Sequence, residues 1–297
     1  MQKPAIKIAV LKPRATFGHG VAKKLITDHG INAEIVFYGN NLEVCRKLAE
    51  GETDMAVVPL ENNIAGLVPD WITWCNEEAR TPLGPRAEII HEIVSDVGQC
   101  LLVRPGVSKE CIKKILSHER ALKQCSTIIA RLGVPTMETN STAAAAELVS
   151  TSAEIEGYAA LAAETAAEEY GLEILQRDAE DQVGNVTRFG ILQLKEKASK
   201  SIPFLTKDTS IKRVIVRFGL PNTVGALHAV TAILLKHHAN MTSLRDLPQG
   251  LAKRYSYSFY MEYDIKASET AASILALKQI TENLTVFGNF FVEDRGL

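Results

Sequence analysis

Gly184-Asn185-Val186-Thr187-Arg188-Phe189-Gly190-Ile191-Leu192 sets a hydroxyl, a guanidinium and an aromatic ring in consecutive positions, directly ahead of an apolar run. The run from Phe189 to Leu192 reads as a buried strand. Thr187 and Arg188 would then stand at a strand's mouth, where α/β proteins place ligands. Arg188 can fork onto a carboxylate through two parallel hydrogen bonds. Thr187 can pass a proton or a hydrogen bond to a leaving oxygen, and Asn185 can orient a substrate. An ordinary strand start with a surface arginine uses the same residues, so the choice between the two rests on the rest of the chain.

Ahead of this stretch, strands and helices alternate through residues 1–195, as in α/β packing. The apolar runs predict strands at 6–11, 33–38, 54–60, 112–116, 157–162 and 172–175, and a strand pair within 87–106. Helices are predicted from Thr16 or Gly18 to Gly30, and over 42–49, 121–132, 143–149 and 164–170. A module of this length fits two lobes with a cleft between them.

Polar residues cluster where these elements end. Lys12 and Arg14 lie in a loop before a helix start, an anion-binding arrangement or simply solvated cations. Glu61-Asn62-Asn63 closes a buried strand and reads either as a pocket rim or as a turn with capping asparagines. Ser117 and Ser141 precede helices and can cap them, while the two helix starts also offer free N–H groups to an anion. Trp71 and Trp74, three apart, read as core, and His91 as structural.

Residues 196–208 carry several Lys and Ser with few apolar residues and read as a linker. Beyond it, over 209–297, the pattern restarts as βαββαβ, the order of a ferredoxin-like unit, with no catalytic constellation in it. Its alternating strands at 211–218 and 255–265 are expected to offer edges for pairing, and a helix is predicted over 270–280.

Composition narrows the function. The 297 residues carry a net charge of -2, which gives no broad electrostatic case for nucleic acid or an anionic membrane. No apolar stretch approaches the roughly 20 residues a spanning helix needs, and the N-terminus lacks a signal peptide's apolar core. Five cysteines without metal or disulfide spacing fit a reducing cytoplasm.

Taken together, the motifs resemble the prephenate dehydratase family followed by an ACT domain, nearly end to end. The family's Asn-x-Thr-Arg-Phe stands here as Asn185-Val186-Thr187-Arg188-Phe189, with Asp181 ahead of it. Val58-Pro59-Leu60-Glu61-Asn62-Asn63 matches Val-Pro-x-Glu-Asn-Ser, and Ser117-His118-Glu119-Arg120-Ala121-Leu122-Lys123-Gln124-Cys125 matches a third motif completely. Ser141-Thr142-Ala143 and the stretch from Ala159 to Leu172 also match.

The resemblance implies an α/β fold: a two-lobed, periplasmic-binding-protein-like catalytic module plus a ferredoxin-like ACT domain. It implies a lyase in phenylalanine biosynthesis that takes water and carbon dioxide from prephenate, with no cofactor or metal. Thr187 and Arg188 would be catalytic. Thr16, Glu61, Asn62, Ser117, Gln124, Asn185 and Phe189 would bind substrate. Gly225, Ala226, Leu227, Arg245 and Asp246 would form a site for an amino-acid effector, in a homodimer or homotetramer.

The chain also departs from the pattern. Lys12-Pro13-Arg14-Ala15-Thr16-Phe17-Gly18 replaces two glycines and a serine of Gly-Pro-x-Gly-Thr-Phe-Ser, and Asn63 replaces a serine. Ala65 and Leu67 stand where Glu and Ser are usual. Val224 replaces a proline, and Arg245-Asp246-Leu247-Pro248 replaces Glu-Ser-Arg-Pro. These changes predict weakened or altered phenylalanine control. They leave open a related prephenate decarboxylase that keeps the ring non-aromatic, and a non-catalytic sensor of small carboxylates.

Overall fold

The computed structural model describes residues 5–81, 84–182, 184–200, 210–247 and 257–292. In chain order the elements begin β1 (Ile6–Leu11), α1 (Phe17–His29), β2 (Ala33–Tyr38), α2 (Asn41–Glu50), β3 (Met55–Asn62), β4 (Gly66–Leu67), α3 (Pro69–Glu78), β5 (Ala87–Asp96) and β6 (Cys100–Val103). There follow β7 (Lys114–Ser117), α4 (Glu119–Gln124), α5 (Ser126–Leu132), β8 (Thr136–Glu138), α6 (Thr142–Thr151), β9 (Tyr158–Ala162), α7 (Thr165–Tyr170), β10 (Glu173–Gln176) and β11 (Val186–Leu194). The last are β12 (Ile211–Leu220), α8 (Ala226–Lys236), β13 (Asn240–Leu247), β14 (Tyr257–Lys266), α9 (Thr270–Ile280) and β15 (Glu282–Phe291).

The chain divides into two units. The first comprises Met1–Val44, Val57–Val68 and Ile93–Phe189, and the second comprises Cys45–Ala56, Pro69–Glu92 and Gly190–Leu297.

The first unit holds strands of two sheets, in the orders β11-β3-β1-β2 and β10-β6-β9-β7-β8. β1 and β2 pair in parallel from Ile6↔Ala33 to Leu11↔Tyr38, with α1 as the crossover. Thr16 caps α1, its hydroxyl oxygen accepting from the His19 amide, and Gly30 ends the helix in the left-handed region at φ 59. Ala145 and Ala146 of α6 share a buried cluster with Ala160 and Ala162 of β9. Small side chains on both surfaces let helix and strand approach closely.

In the second unit the order β12-α8-β13-β14-α9-β15 is the predicted βαββαβ, with strands in the order β13-β14-β12-β15-β5. One sheet face sets Val214, Val216, Phe218, Met261 and Tyr263 against Val230 and Leu234 of α8 and Leu277 of α9. The other face is covered by α3. Trp71 and Trp74 stack on each other at 5.2 Å and each meets Phe287 edge to face, and the Trp71 indole donates to the Tyr260 hydroxyl at 3.3 Å. Arg213 is buried on this face. Its Nε and one terminal nitrogen reach the two Asp264 oxygens at 2.7 and 2.8 Å, and its other terminal nitrogen reaches Glu92 at 2.8 Å.

Five sequence expectations need correction. β5 and β6 are not a pair, because β6 belongs to the order β10-β6-β9-β7-β8 and β5 does not. The helix expected over 121–132 breaks at Cys125, whose φ -113 and ψ 30 end α4 and begin α5. The strand of the Thr-Arg-Phe motif begins at Val186, so Thr187 and Arg188 lie inside it rather than before it. β12 and β14, expected to offer edges for pairing, are interior strands of their sheet, and β13 ends the order instead. Residues Lys195–Lys200, where the linker was expected to open, form a 3-10 helix; the linker's remainder at 201–208 and Pro248 lie outside the described residues.

Candidate active site

β3 and β11 carry the first unit's polar centre. Asn62, the last residue of β3, directs its amide nitrogen at three oxygens: Asn185 Oδ1 at 2.6 Å, the Val186 carbonyl at 3.0 Å and Thr187 Oγ1 at 3.0 Å. Its own Oδ1 accepts from the Ile64 and Ala65 amides at 3.1 and 2.9 Å, which fixes the side chain from both ends. An amide oxygen held by two N–H donors leaves the nitrogen facing Thr187 in no doubt of its identity. The Thr187 hydroxyl therefore accepts from Asn62, and its own proton is directed elsewhere. Thr187 and Asn185 are each less than a tenth exposed.

One residue along, the Arg188 guanidinium donates to Glu61 Oε2 at 3.1 Å. Both lie on paired elements: Glu61 and Asn62 are matched to Leu67 and Gly66 of β4. Asn185, Thr187 and Asn62, all named from the sequence, thus form one hydrogen-bonded cluster, and Arg188 with Glu61, the neighbouring residues on the same two strands, form an ion pair beside it. Phe189 is buried beside α1, and a Cβ on Gly18 would meet its ring at 3.6 Å, ordinary contact distance. The serine the family carries at that position would fit there, and its absence leaves space against the ring.

The other nominated residues take different roles. Thr16 caps α1 and also donates to the Leu11 carbonyl at 3.1 Å. The Ser117 hydroxyl is fully buried and donates to the Leu161 carbonyl at 2.6 Å, tying β7 to β9. Ser141 caps α6. Gln124 ends α4, and its carbonyl accepts the Asp181 amide at 2.6 Å. Asp181 in turn caps α5, accepting from the Ser126 amide and hydroxyl and the Thr127 amide. These bonds, led by that from the Ser126 hydroxyl, hold its carboxyl below the usual range. In the second unit Gly225 sits at φ 84 ahead of α8, while Ala226 and Leu227 open that helix. Arg245 donates to the Leu244 carbonyl, and Asp246 lies exposed on β13.

The remodelled loop from Lys12 to Gly18 is more than an anion site or a pair of solvated cations. Ala15 is buried in the left-handed region at φ 62, where a glycine would be unstrained. Its amide donates to His19 Nδ1 at 2.8 Å. Burial lowers the pKa of His19, which matches an unprotonated Nδ1 accepting that bond. Arg14 pairs with Glu169 of α7 at 2.8 Å, and the Tyr170 hydroxyl donates to the Arg14 carbonyl at 3.0 Å. No sequence signal reports such pairings, which join residues about 155 apart.

A groove of about 440 Å³ runs along the first unit beside Phe17, Gly20, Val21 and Lys24 of α1, with Ser95, Thr165 and Arg177 among its walls. None of the hydrogen-bonded group around Thr187 lines it. It occupies a different flank of α1 from Gly18, which faces Phe189.

Comparison with known proteins gives this geometry a family. The prephenate dehydratase family model matches residues 8–197. A prephenate dehydratase of Lactococcus lactis subsp. cremoris is 32% identical over 299 residues, covering 98% of this chain and 99% of that protein. The chloroplastic arogenate dehydratase/prephenate dehydratase 1 of Arabidopsis thaliana is 32% identical over 232 residues, 74% of this chain. The chain spans only 55% of the length of that protein, and 56 to 62% of several other plant relatives. Two solved structures share the fold at 24% identity. A quorum-quenching acylase has a TM-score of 0.79 over 97% of this chain and 98% of its own. A prephenate dehydratase of Arthrobacter aurescens in complex with L-Phe has a TM-score of 0.78 over 98% of this chain and 91% of its own. With its matched region covering more than half its length and a full-length relative above 30% identity, the chain belongs to the prephenate dehydratase family.

Proposed function

We propose that this chain is a prephenate dehydratase, a lyase that converts prephenate to phenylpyruvate in phenylalanine biosynthesis. The observation that carries the reading is the Asn62-anchored Thr187 hydroxyl, adjacent to an arginine already oriented by Glu61. In the reaction the ring carboxylate leaves as carbon dioxide, and its bonding pair enters the ring. The ring's hydroxyl then leaves with its own bonding pair and takes up a proton to become water. Aromatisation drives both losses. Thr187 is suited to donating to the departing oxygen, because its acceptor side is occupied by Asn62. Threonine is a weak acid, so its help is confined to an oxygen becoming hydroxide. Arg188 would hold the pyruvyl carboxylate. Glu61, Asn62, Asn185 and Phe189 would shape the space, with Thr16, Ser117 and Gln124 supporting it from their structural positions.

The direct test is purified protein with prephenate, following substrate loss and phenylpyruvate together. Loss matched by phenylpyruvate supports the reading. Loss without it makes the protein a decarboxylase that keeps the ring non-aromatic, and no loss makes it a sensor. Arogenate, the substrate in the names of the plant relatives, belongs in the same assay.

Arg188 carries its own expected outcome. Arg188→Lys is expected to raise the Michaelis constant roughly tenfold, since a lysine loses the planar fork and one charge-assisted hydrogen bond. The change in turnover should be smaller. Parental substrate affinity in this variant would take Arg188 off the carboxylate.

In this reading residues 1–195 form the catalytic domain, and 209–297 an ACT domain kept for assembly and regulation, in a homodimer or homotetramer. Five free thiols among the described residues suit a reducing cytoplasm. Gly225 permits close backbone approach by an amino acid, but Arg245 brings positive charge where the family has Glu. Calorimetric titration is therefore expected to show phenylalanine binding weaker than micromolar, with a mass in solution above that of a monomer. Micromolar binding with strong inhibition would refute the regulatory expectation, and a monomer the assembly one.

A further inference from the structure

Asn63 makes three contacts with the segment that leads into Thr187, and no role in the reaction above depends on them. Its backbone amide donates to the Val186 carbonyl at 3.0 Å. Its side-chain Oδ1 accepts from the Val186 amide at 2.9 Å, and its Nδ2 donates to the Gly184 carbonyl at 2.8 Å. The side chain therefore behaves like one more peptide unit, pairing with both polar groups that flank Asn185. The same segment is held on its other side by the Val97 amide, which donates to the Asn185 carbonyl at 2.8 Å. Gly184 needs this support: it stands at φ 94, a conformation that fixes no particular path for the chain by itself.

A serine, the residue that Asn63 replaces in the motif quoted above, could not do this. Its hydroxyl can donate and accept, but from one oxygen on a shorter side chain, so it cannot reproduce the paired geometry in which the carboxamide presents the two functions on separate atoms. Asn62 and Asn63 thus divide the work. Asn62 engages the side chains of Asn185 and Thr187, and Asn63 sets the backbone that presents them.

We propose that Asn63 is a positioning residue for Thr187, acting by clamping the backbone from Gly184 to Val186; this rests on the catalytic reading of Thr187 given above. A hydroxyl aimed at a departing oxygen is sensitive to sub-ångström misplacement, which affects the chemical step more than the binding of substrate. Asn63 is exposed and at the end of a strand, so its replacement leaves the buried core intact.

The experiment measures turnover and the Michaelis constant for Asn63→Ala and Asn63→Ser, alone and combined with Thr187→Ala. Amide hydrogen exchange at Val186 is measured on the same proteins. Asn63→Ala is expected to lower turnover about tenfold with a nearly unchanged Michaelis constant. Asn63→Ser should fall between it and the parent. Both losses should vanish in the Thr187→Ala background, and the Val186 amide should exchange faster in each variant. Parental turnover, or a loss that persists undiminished without the Thr187 hydroxyl, overturns the proposal. If the parent does not consume prephenate, the functional reading has failed separately. Exchange at Val186 then still decides the clamp, and an unchanged rate overturns it.

Discussion

Thr187→Ala lowers turnover about 10²-fold or more, the scale of a positioned proton donor, while the Michaelis constant moves far less. The expectation follows from the direction of one hydrogen bond. Asn62 donates to Thr187 Oγ1, and Asn62 is itself held by the Ile64 and Ala65 amides, so the Thr187 proton is available to another acceptor. Removing the hydroxyl deletes that donor and leaves the Asn62 amide with its bonds to Asn185 and Val186. The backbone of β11 is unaffected, so the variant should fold. Thr187→Ser keeps the donor but loses the methyl that restricts its rotamer, and should retain an intermediate rate. Steady-state kinetics beside a thermal melt decides the matter. Near-parental turnover in folded Thr187→Ala protein would remove Thr187 from the chemistry.

Arg213→Ala is expected to cost the second unit about 3 to 5 kcal/mol of stability, the cost of breaking a buried ion pair from one side. Arg213, Glu92 and Asp264 each show less than a tenth of their side chains to solvent. Burial opposes the arginine's charge. The hydrogen bonds the arginine donates to Asp264 and the charge of Glu92 outweigh this and raise its pKa overall. Deleting the guanidinium removes the cation that two buried carboxylates share, in a layer that also contains Trp71, Trp74 and Tyr260. Urea denaturation would show a lower midpoint. Replacing all three residues together by apolar ones of similar volume should recover most of the loss, because the buried negative charges go too. A loss under about 1 kcal/mol would mean that the carboxylates find water or other partners.

The sequence carried most of the fold because its signals were local. The boundaries of β1, β2 and α9 coincide with the apolar runs that predicted them, and Gly30 and Gly171 end helices in the left-handed region. Where prediction failed, a distant residue decided the outcome. The helix expected over 121–132 has unbroken helical periodicity. Its interruption at Cys125 depends on Asp181, which satisfies the amides of a second helix start from 55 residues away. The interior positions of β12 and β14 likewise depend on which strands flank them, and an alternating pattern is silent on that. In the site, residue types predicted the group around Thr187. At Ser117 residue type says less: a motif marks it for substrate, and in the structure its hydroxyl donates a hydrogen bond to a carbonyl 44 residues away. Asn63 shows the converse, since one substitution in a motif gave no hint of its two new backbone bonds.

The contacts of Arg14 bear on how this chain responds to its solvent. Arg14 meets Glu169, and Lys23 lies 3.6 Å from Glu168 and 3.9 Å from Glu169, with Arg14, Lys23 and Glu168 largely in water. Exposed pairs of this kind contribute little individually and weaken as salt rises. The loop ahead of α1 and the helix itself are therefore fastened to α7 partly by ion pairs that weaken with ionic strength, beside a Tyr170 hydrogen bond that does not depend on charge. With lysine and alanine where the family motif has glycines, the loop's backbone has fewer conformations open to it, and part of what holds it to α7 is a tether that dissolved ions can loosen.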